Sequence, residues 1–392
     1  MPFRLILEDK NTPSEDYRYY EGKRRKIRLA VTLGDPAGIG PEVALKSLSD
    51  PDVRRMAEIV LVGSLPARLK KSPQLFHAIL KYGKSVRLLD PLFGGDAATN
   101  SAKEITSPII IDFHEFPVGK PSVTCGRSAL FAIKKAVDMA LKKEVDGIVT
   151  APVSKESLAL AGCSKDLTGH TEILKKLTRA GRVQMLMSVA PPPTGFGDSA
   201  GAYEQPFLHD KKNKGAPGRK KDIRVVLVTR HIPVSKISDG LTASKIISAA
   251  ADYASVFGKN TRFVVCALNP HAGDGGLLGD EERKIIAPAV RRLKAMGFSV
   301  AGPMPADAVF LRMSSCEDFD CALAMYHDQA MIPLKIINPR GIVNVTLGLP
   351  FIRTSPGHGV AYDIAAKAGS ADGKPMIEAV KFAARYALVF SS

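Results

Sequence analysis

Ile27-Arg28-Leu29-Ala30-Val31-Thr32-Leu33-Gly34-Asp35-Pro36-Ala37-Gly38-Ile39-Gly40-Pro41-Glu42-Val43-Ala44-Leu45-Lys46-Ser47-Leu48-Ser49 is the stretch that sets the class of fold. Six residues of β type, 27–32, run into a loop with glycine at 34, 38 and 40, and a helical segment follows over 43–49. Pro41 suits the first turn of a helix, where its missing N–H is not needed, and Glu42 suits the positive end of the helix dipole. The unit is strand, glycine loop, helix. Further β-type runs at 59–62, 109–111, 147–150, 225–228, 263–267 and 322–325 alternate with helical patterns at 128–142, 171–180, 243–257, 281–296 and 377–387. This alternation predicts an α/β fold with a largely parallel sheet. Ligands of open α/β sheets bind at the carboxyl ends of strands, and several chemically rich loops directly follow these runs.

Composition narrows the classes of function. A chain of 392 residues, 45% hydrophobic and 24% charged, has the balance of a globular protein, and its length predicts two domains or one two-lobed unit. The five cysteines are scattered, with no CxxC pair, which argues against a disulfide framework or zinc knuckle and for a reducing, cytoplasmic setting. No apolar run approaches the ~20 residues of a membrane span, and the first 28 residues lack a signal-peptide core. The formal charge of +16 is spread along the chain without a nucleic-acid motif. It predicts a solvated basic surface that attracts small anions such as phosphates and dinucleotides, with no nucleic-acid or membrane partner. Residues 1–26 read as a basic polar extension, partly disordered, and 190–222, rich in proline, glycine and lysine, as an inserted mobile loop.

Three histidines stand apart from the rest. His231, His271 and His327 each follow a probable strand, so their loops can meet at one sheet edge. Three imidazoles can hold a divalent ion and leave a position open for substrate. Asp274 and Asp328 lie close by in sequence as further acceptors. An ordinary hydrogen-bonded role is expected for His77, His114 and His209. The Gly34–Gly40 loop is neither a dinucleotide fingerprint nor a Walker loop, and a ligand role and a purely structural turn are both open for it. Leu167-Thr168-Gly169-His170-Thr171-Glu172 sits ahead of a helical run, where free amides favour anions. Lys335, Arg340, Asn344 and Arg353 are spaced among apolar and glycine positions, a setting suited to carboxylate or phosphate. His358 to Ala365 combines a glycine turn with Asp363, either a ribose-binding pattern or a capped loop.

Six blocks, in order, resemble the 4-hydroxythreonine-4-phosphate dehydrogenase family of vitamin B6 (pyridoxine) biosynthesis. They are Gly-Asp-Pro-Ala-Gly-Ile-Gly-Pro-Glu, Thr-Ala-Pro-Val-Ser-Lys, Thr-Gly-His-Thr-Glu, Asn-Pro-His-Ala-Gly, Met-Tyr-His-Asp-Gln and Thr-Leu-Gly-Leu-Pro-Phe-Ile-Arg-Thr-Ser. The resemblance spans about 27–387. It implies two α/β/α lobes of the isocitrate/isopropylmalate dehydrogenase type, an active site in the interlobe cleft, and a homodimer whose metal ligands can come from both subunits. The expected segments are 1–26 as extension, 27–150 as the first part of the nucleotide lobe, 151–310 as the second lobe and 311–392 as the return to the first. The implied ligands of one zinc, magnesium or cobalt ion are His231, His271 and His327. His170, Thr171, Lys335, Asn344 and Arg353 would bind substrate. Gly359 and Asp363 would bind NAD, and Lys335 and Asp274 are candidates for the catalytic proton acceptor. The implied reaction is metal- and NAD-dependent oxidation of 4-phosphooxy-L-threonine. Alternatives are a D-threonate or D-erythronate 4-phosphate dehydrogenase, a three-histidine hydrolase without NAD, and a nucleic-acid-binding protein on an inactive scaffold. The extension, the 190–222 insert and Arg230 ahead of His231 depart from the family pattern.

Overall fold

A computed structural model describes residues 26–75, 86–89, 113–164, 167, 169–190, 221–315 and 318–390. Most of the basic extension, most of the 190–222 insert, the 109–111 run, His77 and His209 lie outside these residues.

The strands are β1 (Ile27–Thr32), β2 (Ala57–Val62), β3 (Leu65–Pro66), β4 (Val86–Leu89), β5 (Phe113–His114), β6 (Gly147–Thr150), β7 (Gln184–Val189), β8 (Ile223–Leu227), β9 (Arg262–Cys266), β10 (Ser299–Met304), β11 (Cys321–Ala324), β12 (Ile342–Leu347) and β13 (Ile352–Pro356). Eleven form one sheet in the order β10-β9-β11-β8-β7-β12-β13-β6-β1-β2-β4, and β3 pairs with β5. The expected parallel pairing holds within two sets, β10-β9-β11-β8 and β13-β6-β1-β2-β4. Between them β7 and β12 make three successive antiparallel pairings, β8–β7, β7–β12 and β12–β13. Three reversals leave the two parallel sets running in opposite directions. The carboxyl ends of β1 and β6 therefore do not share an edge with those of β8, β9 and β11, as a uniformly parallel sheet would require. β11 lies between β9 and β8, and the chain rejoins the β6-β1-β2-β4 set at β13.

The helices form where the periodic patterns lie: Val123–Leu141, His170–Thr178, Ala243–Phe257, Ala287–Ala295 and Lys374–Phe390. Ser122 and Thr242 cap two of them by accepting from the amides three residues on. One face of the sheet carries a single continuous core, in which Leu29, Val149, Ile352, Val343, Val345, Leu186, Val226 and Val265 pack against the Ala243–Phe257 and Lys374–Phe390 helices among others. The other face carries two separate cores. The Val123–Leu141 and His170–Thr178 helices cover β1, β2 and β6. The helices Ala306–Ser315 and His327–Ile337 cover β7, β8, β9 and β11. Between these two covers the outward side chains of β12 and β13 include Asn344, Thr346 and Arg353, polar residues on strands whose inward side chains are mostly apolar, while Ile342 packs at the edge of the second cover. This interruption is the cleft. No helix among the described residues is long and apolar enough to cross a membrane.

Candidate active site

Arg353 stands in the interruption. It is 1% exposed, yet its guanidinium donates only to hydroxyls: Nε and Nη2 to Thr150 Oγ1 (3.1 and 2.5 Å) and Nη1 to Thr346 Oγ1 (3.1 Å). Thr346 is its direct cross-strand partner. Burial holds the group down at about 9, with the Glu172 carboxylate pulling the other way. Three of five N–H bonds are used, so two remain for a ligand. The His170–Thr178 helix begins beside it and brings its free first-turn amides. The His170 Nε2 atom is buried without a hydrogen-bond partner, as is Asn344 Oδ1. Burial first, then the Arg353 charge, holds the His170 imidazole well below its usual range, so it is neutral. Thr171 is buried in the same first turn. A buried cation without a carboxylate partner, next to unsatisfied polar atoms and a helix N-terminus, is a donor set whose chemistry suits an anion. Lys335 is exposed near the end of the His327–Ile337 helix, eight residues and roughly 12 Å along the axis from His327. No hydrogen bond or ion pair among the described residues ties it to this pocket.

The histidine loops leave three parallel neighbours, β8, β11 and β9. Backbone and side-chain bonds lock the ends together. Val228 N donates to Ala324 O (2.8 Å), and Thr229 donates to Met325 O through N (3.1 Å) and Oγ1 (2.7 Å). Gln329, 9% exposed, spans the other junction: Oε1 accepts from Met325 N and Nε2 donates to Ala267 O, both at 2.7 Å. The His231 and His327 rings consequently lie 5.6 Å apart, centroid to centroid. Asp328 engages His327 Nδ1 at 2.6 Å, which orients the ring and leaves Nε2 open. Partial burial, followed by the charges of His327, Lys155 and Arg230, holds the His231 imidazole below its usual range, in the neutral form that ligates metals. The charges of Lys155 and Glu172 reach His231, and Glu172 also acts on Arg353.

His271 lies on a separate loop. Residues 271–275 all have positive φ, from 43° to 79°, a left-handed run that costs energy at every non-glycine position. Glu282, 6% exposed, fastens its base: Oε1 accepts from Leu268 N and Asn269 N (both 2.8 Å), and Oε2 accepts from Asn269 Nδ2 (3.0 Å). His271 and Asp274 point into solvent as exposed side chains. Within one chain, no three His, Cys, Asp or Glu side chains among the described residues gather as a metal site.

The Gly34–Gly40 loop resolves as a structural cradle. It is buried throughout. Asp35 accepts from Ala37 N (2.8 Å) and from Tyr362 OH (2.9 Å), and Ile39 N donates to Val360 O (2.9 Å). A Cβ at Gly38 would meet Val360 O at 2.7 Å, so this glycine permits the two loops to touch. Arg68 ties Pro36, Gly38 and Ala365 carbonyls together. The segment held this way presents Asp363 exposed and Gly359 with open space beside its backbone. Glu42 is buried, accepting from Ala371 N (2.8 Å) and pairing with Lys46 (3.0 Å). Thr150, Thr346, Gln329 and Glu282 hold the site together without having been singled out from sequence. The Thr150 and Gln329 partners Arg353 and Ala267 are remote in the chain, although Thr150, Gln329 and Thr346 sit inside recognisable blocks.

The family profile of the pyridoxal phosphate biosynthetic protein PdxA matches residues 77–383. A 4-hydroxythreonine-4-phosphate dehydrogenase of Desulforapulum autotrophicum is 34% identical over 366 residues, covering 92% of this chain and 96% of the relative. A D-threonate 4-phosphate dehydrogenase of Salmonella typhimurium is 33% identical over 364 residues, covering 92% and 98%. The crystal structure of a 4-hydroxythreonine-4-phosphate dehydrogenase from Klebsiella pneumoniae superposes with a TM-score of 0.65 at 32% identity, covering 93% of this chain and 99% of that one. The expected isocitrate dehydrogenase-like α/β architecture is thereby established, and the chain belongs to the PdxA family of CH–OH dehydrogenases.

Proposed function

We propose that the protein oxidises the secondary alcohol of 4-phosphooxy-L-threonine, using NAD and one divalent metal ion, to 2-amino-3-oxo-4-phosphooxybutyrate, which loses carbon dioxide to give 3-amino-2-oxopropyl phosphate. The observation that carries this is the Arg353 guanidinium, fully buried with only hydroxyl partners, beside the unpaired His170 Nε2 and Asn344 Oδ1. Phosphate oxygens would take the two spare N–H bonds and the Thr171 end of the helix, while His170 and Asn344 orient the chain of the substrate. Lys335 would close on the same phosphate.

The donor set fits a divalent ion. His231 and His327 are adjacent, and Asp328 fixes one of them. His271 of the partner subunit would complete the set in a homodimer. Exposed apolar side chains flank the His231 and His271 loops, Ile232 (39%), Val234 (74%) and Leu277 (84%) among them, as an association surface requires. The ion supplies Lewis acidity at the substrate hydroxyl, and NAD takes the hydride. Asp363 and Gly359 fit a ribose contact, because the one offers an exposed carboxylate and the other an unobstructed backbone. Of the two candidates for the hydroxyl proton, Lys335 and Asp274, Asp274 shares the His271 loop and would arrive with it.

The similar match to a D-threonate 4-phosphate dehydrogenase supports a second reading in which the chemistry is the same and the amino group is replaced by hydroxyl. NADH formation from 4-phosphooxy-L-threonine, D-threonate 4-phosphate and D-erythronate 4-phosphate, with and without chelator, tests both. Undiminished activity after complete metal removal would sink the metal role. Absence of NADH with all three acids would sink the substrate assignment.

A further inference from the structure

We propose that Arg230 is a second anion-binding residue of this site and holds the substrate carboxylate, at the end of the molecule away from the phosphate. The inference rests on the substrate class proposed above. Arg230 follows Thr229, whose N–H and hydroxyl both donate to Met325 O (3.1 and 2.7 Å), and precedes His231, whose ring packs on His327. Its backbone is therefore pinned on the histidine side of the cleft. Its guanidinium has no hydrogen bond or ion pair among the described residues, and Nη1 is shut away from solvent without a partner. Such a donor is costly to keep unless an anion meets it.

The position selects the anion. Glu172 is the acidic side chain whose charge acts on Arg230, and the same carboxylate acts on Arg353 and on His231. Arg230 and Arg353 thus both lie within reach of one carboxylate. Arg353 is on β13 and Arg230 lies three residues beyond the end of β8; β7 and β12 separate these two strands, roughly 14 Å at about 4.8 Å per strand. Two arginine side chains reaching inward from that separation bracket a four-carbon molecule charged at both ends. Arg353 has His170, Asn344 and the helix N-terminus around it, the setting for phosphate. The carbinol carbon must lie at the His231–His327 pair, and in a 3-hydroxy acid the carboxylate is two bonds from that carbon. Arg230 is the chain neighbour of that pair. Lys155 also acts on His231, but it is exposed, and water competes for its charge.

Calorimetric titration of the metal-loaded protein without NAD separates binding from turnover. The probes are 4-phosphooxy-L-threonine, D-threonate 4-phosphate, and the carboxamide of whichever acid binds wild type more tightly. R230Q should weaken the acid by roughly 10- to 100-fold, the range for losing hydrogen bonds to a charged group, and the carboxamide by less than about threefold. R230K should recover part of the loss. Because no partner in the fold depends on Arg230, the melting temperature of R230Q should not fall. The assignment is overturned if R230Q binds the acid within threefold of wild type, if acid and carboxamide lose affinity equally, or if wild type binds neither acid. Arg230-dependent binding of an acid that yields no NADH would overturn the proposed reaction and leave the Arg230 assignment standing.

Discussion

Replacing Arg353 with Met should leave the ligand-free protein close to its present stability while removing the proposed phosphate anchor. Burial brings the guanidinium down to about 9, from an ordinary value above 12. That drop of about three and a half pH units, at about 1.36 kcal/mol each, corresponds to about 5 kcal/mol spent in holding the charge at neutral pH. The folded group releases its proton near 9 and the unfolded one only above 12. The unfolded chain thus holds more protons between those values, and the cost fades only as pH rises through that window. Against it stand three hydrogen bonds to Thr150 and Thr346, about 3 kcal/mol at ~1 kcal/mol each. Met has a similar reach and retains the packing. The two terms nearly cancel, so the change in unfolding free energy should lie within about 2 kcal/mol of zero. Loss of one partner from an ordinary buried ion pair costs about 3–5 kcal/mol instead. Urea denaturation of both proteins, with and without 4-phosphooxy-L-threonine, decides. Ligand at a hundred times its Kd should stabilise wild type by about 2.7 kcal/mol and the variant by far less. A variant destabilised by more than 3 kcal/mol without ligand would show that Arg353 is a structural staple, and the anion-site reasoning would fail.

Three further outcomes follow from the same geometry. Gln329→Leu strands a buried Met325 N–H and an Ala267 carbonyl and should cost about 2–5 kcal/mol with loss of turnover; an unchanged urea midpoint would remove Gln329 from the scaffold of the histidine loops. Glu282→Gln loses the charged acceptor at the base of the His271 loop, so metal affinity should fall roughly tenfold or more, as for other supporting shells, measured by titration with zinc; unaltered affinity would disconnect that loop from the metal. For His170 the unfolded chain takes up a proton near 6.5, whereas burial and Arg353 delay uptake in the folded chain to a lower pH. Stability should therefore decline as pH falls below 6.5, and His170→Gln should flatten the decline; an identical pH profile in the variant would contradict the burial argument.

Much of the molecule was legible where physics is local. The 27–49 stretch shows its strand, turn and helix in order because each rests on neighbouring residues. The histidine loops fell where they were expected because β8, β9 and β11 are short apolar runs that end at them. What escaped was long-range. Gln329 meets Ala267 from 62 residues away, and Arg353 meets Thr150 from 203. No spacing rule reaches that far. β7 escaped for another reason: Gln-Met-Leu-Met-Ser-Val has one β-branched apolar residue and no alternation, so it reads as well for a helix as for a strand. Without β7 and β12 as antiparallel strands, the reversal between the two halves of the sheet cannot be deduced.

The cleft itself did leave a trace in the sequence. Strands of a sheet covered on both faces are apolar at nearly every position, as Val225-Val226-Leu227 and Phe263-Val264-Val265 are; strict alternation belongs to a sheet with one open face. Within this α/β chain, Ile342-Val343-Asn344-Val345-Thr346-Leu347 alternates, and Ile352-Arg353-Thr354-Ser355 departs from the apolar rule altogether. An alternating strand beside a mostly polar one, inside a sheet otherwise covered on both faces, marks where the apolar cover is interrupted on one side. The inward set, Val343, Val345 and Ile352, joins the continuous core; the outward set, Asn344, Thr346 and Arg353, is left to meet a ligand. The pattern that interrupts the apolar rule therefore does two things at once. It interrupts the apolar packing between the two covers of that face, and it supplies the polar side chains of the proposed substrate site.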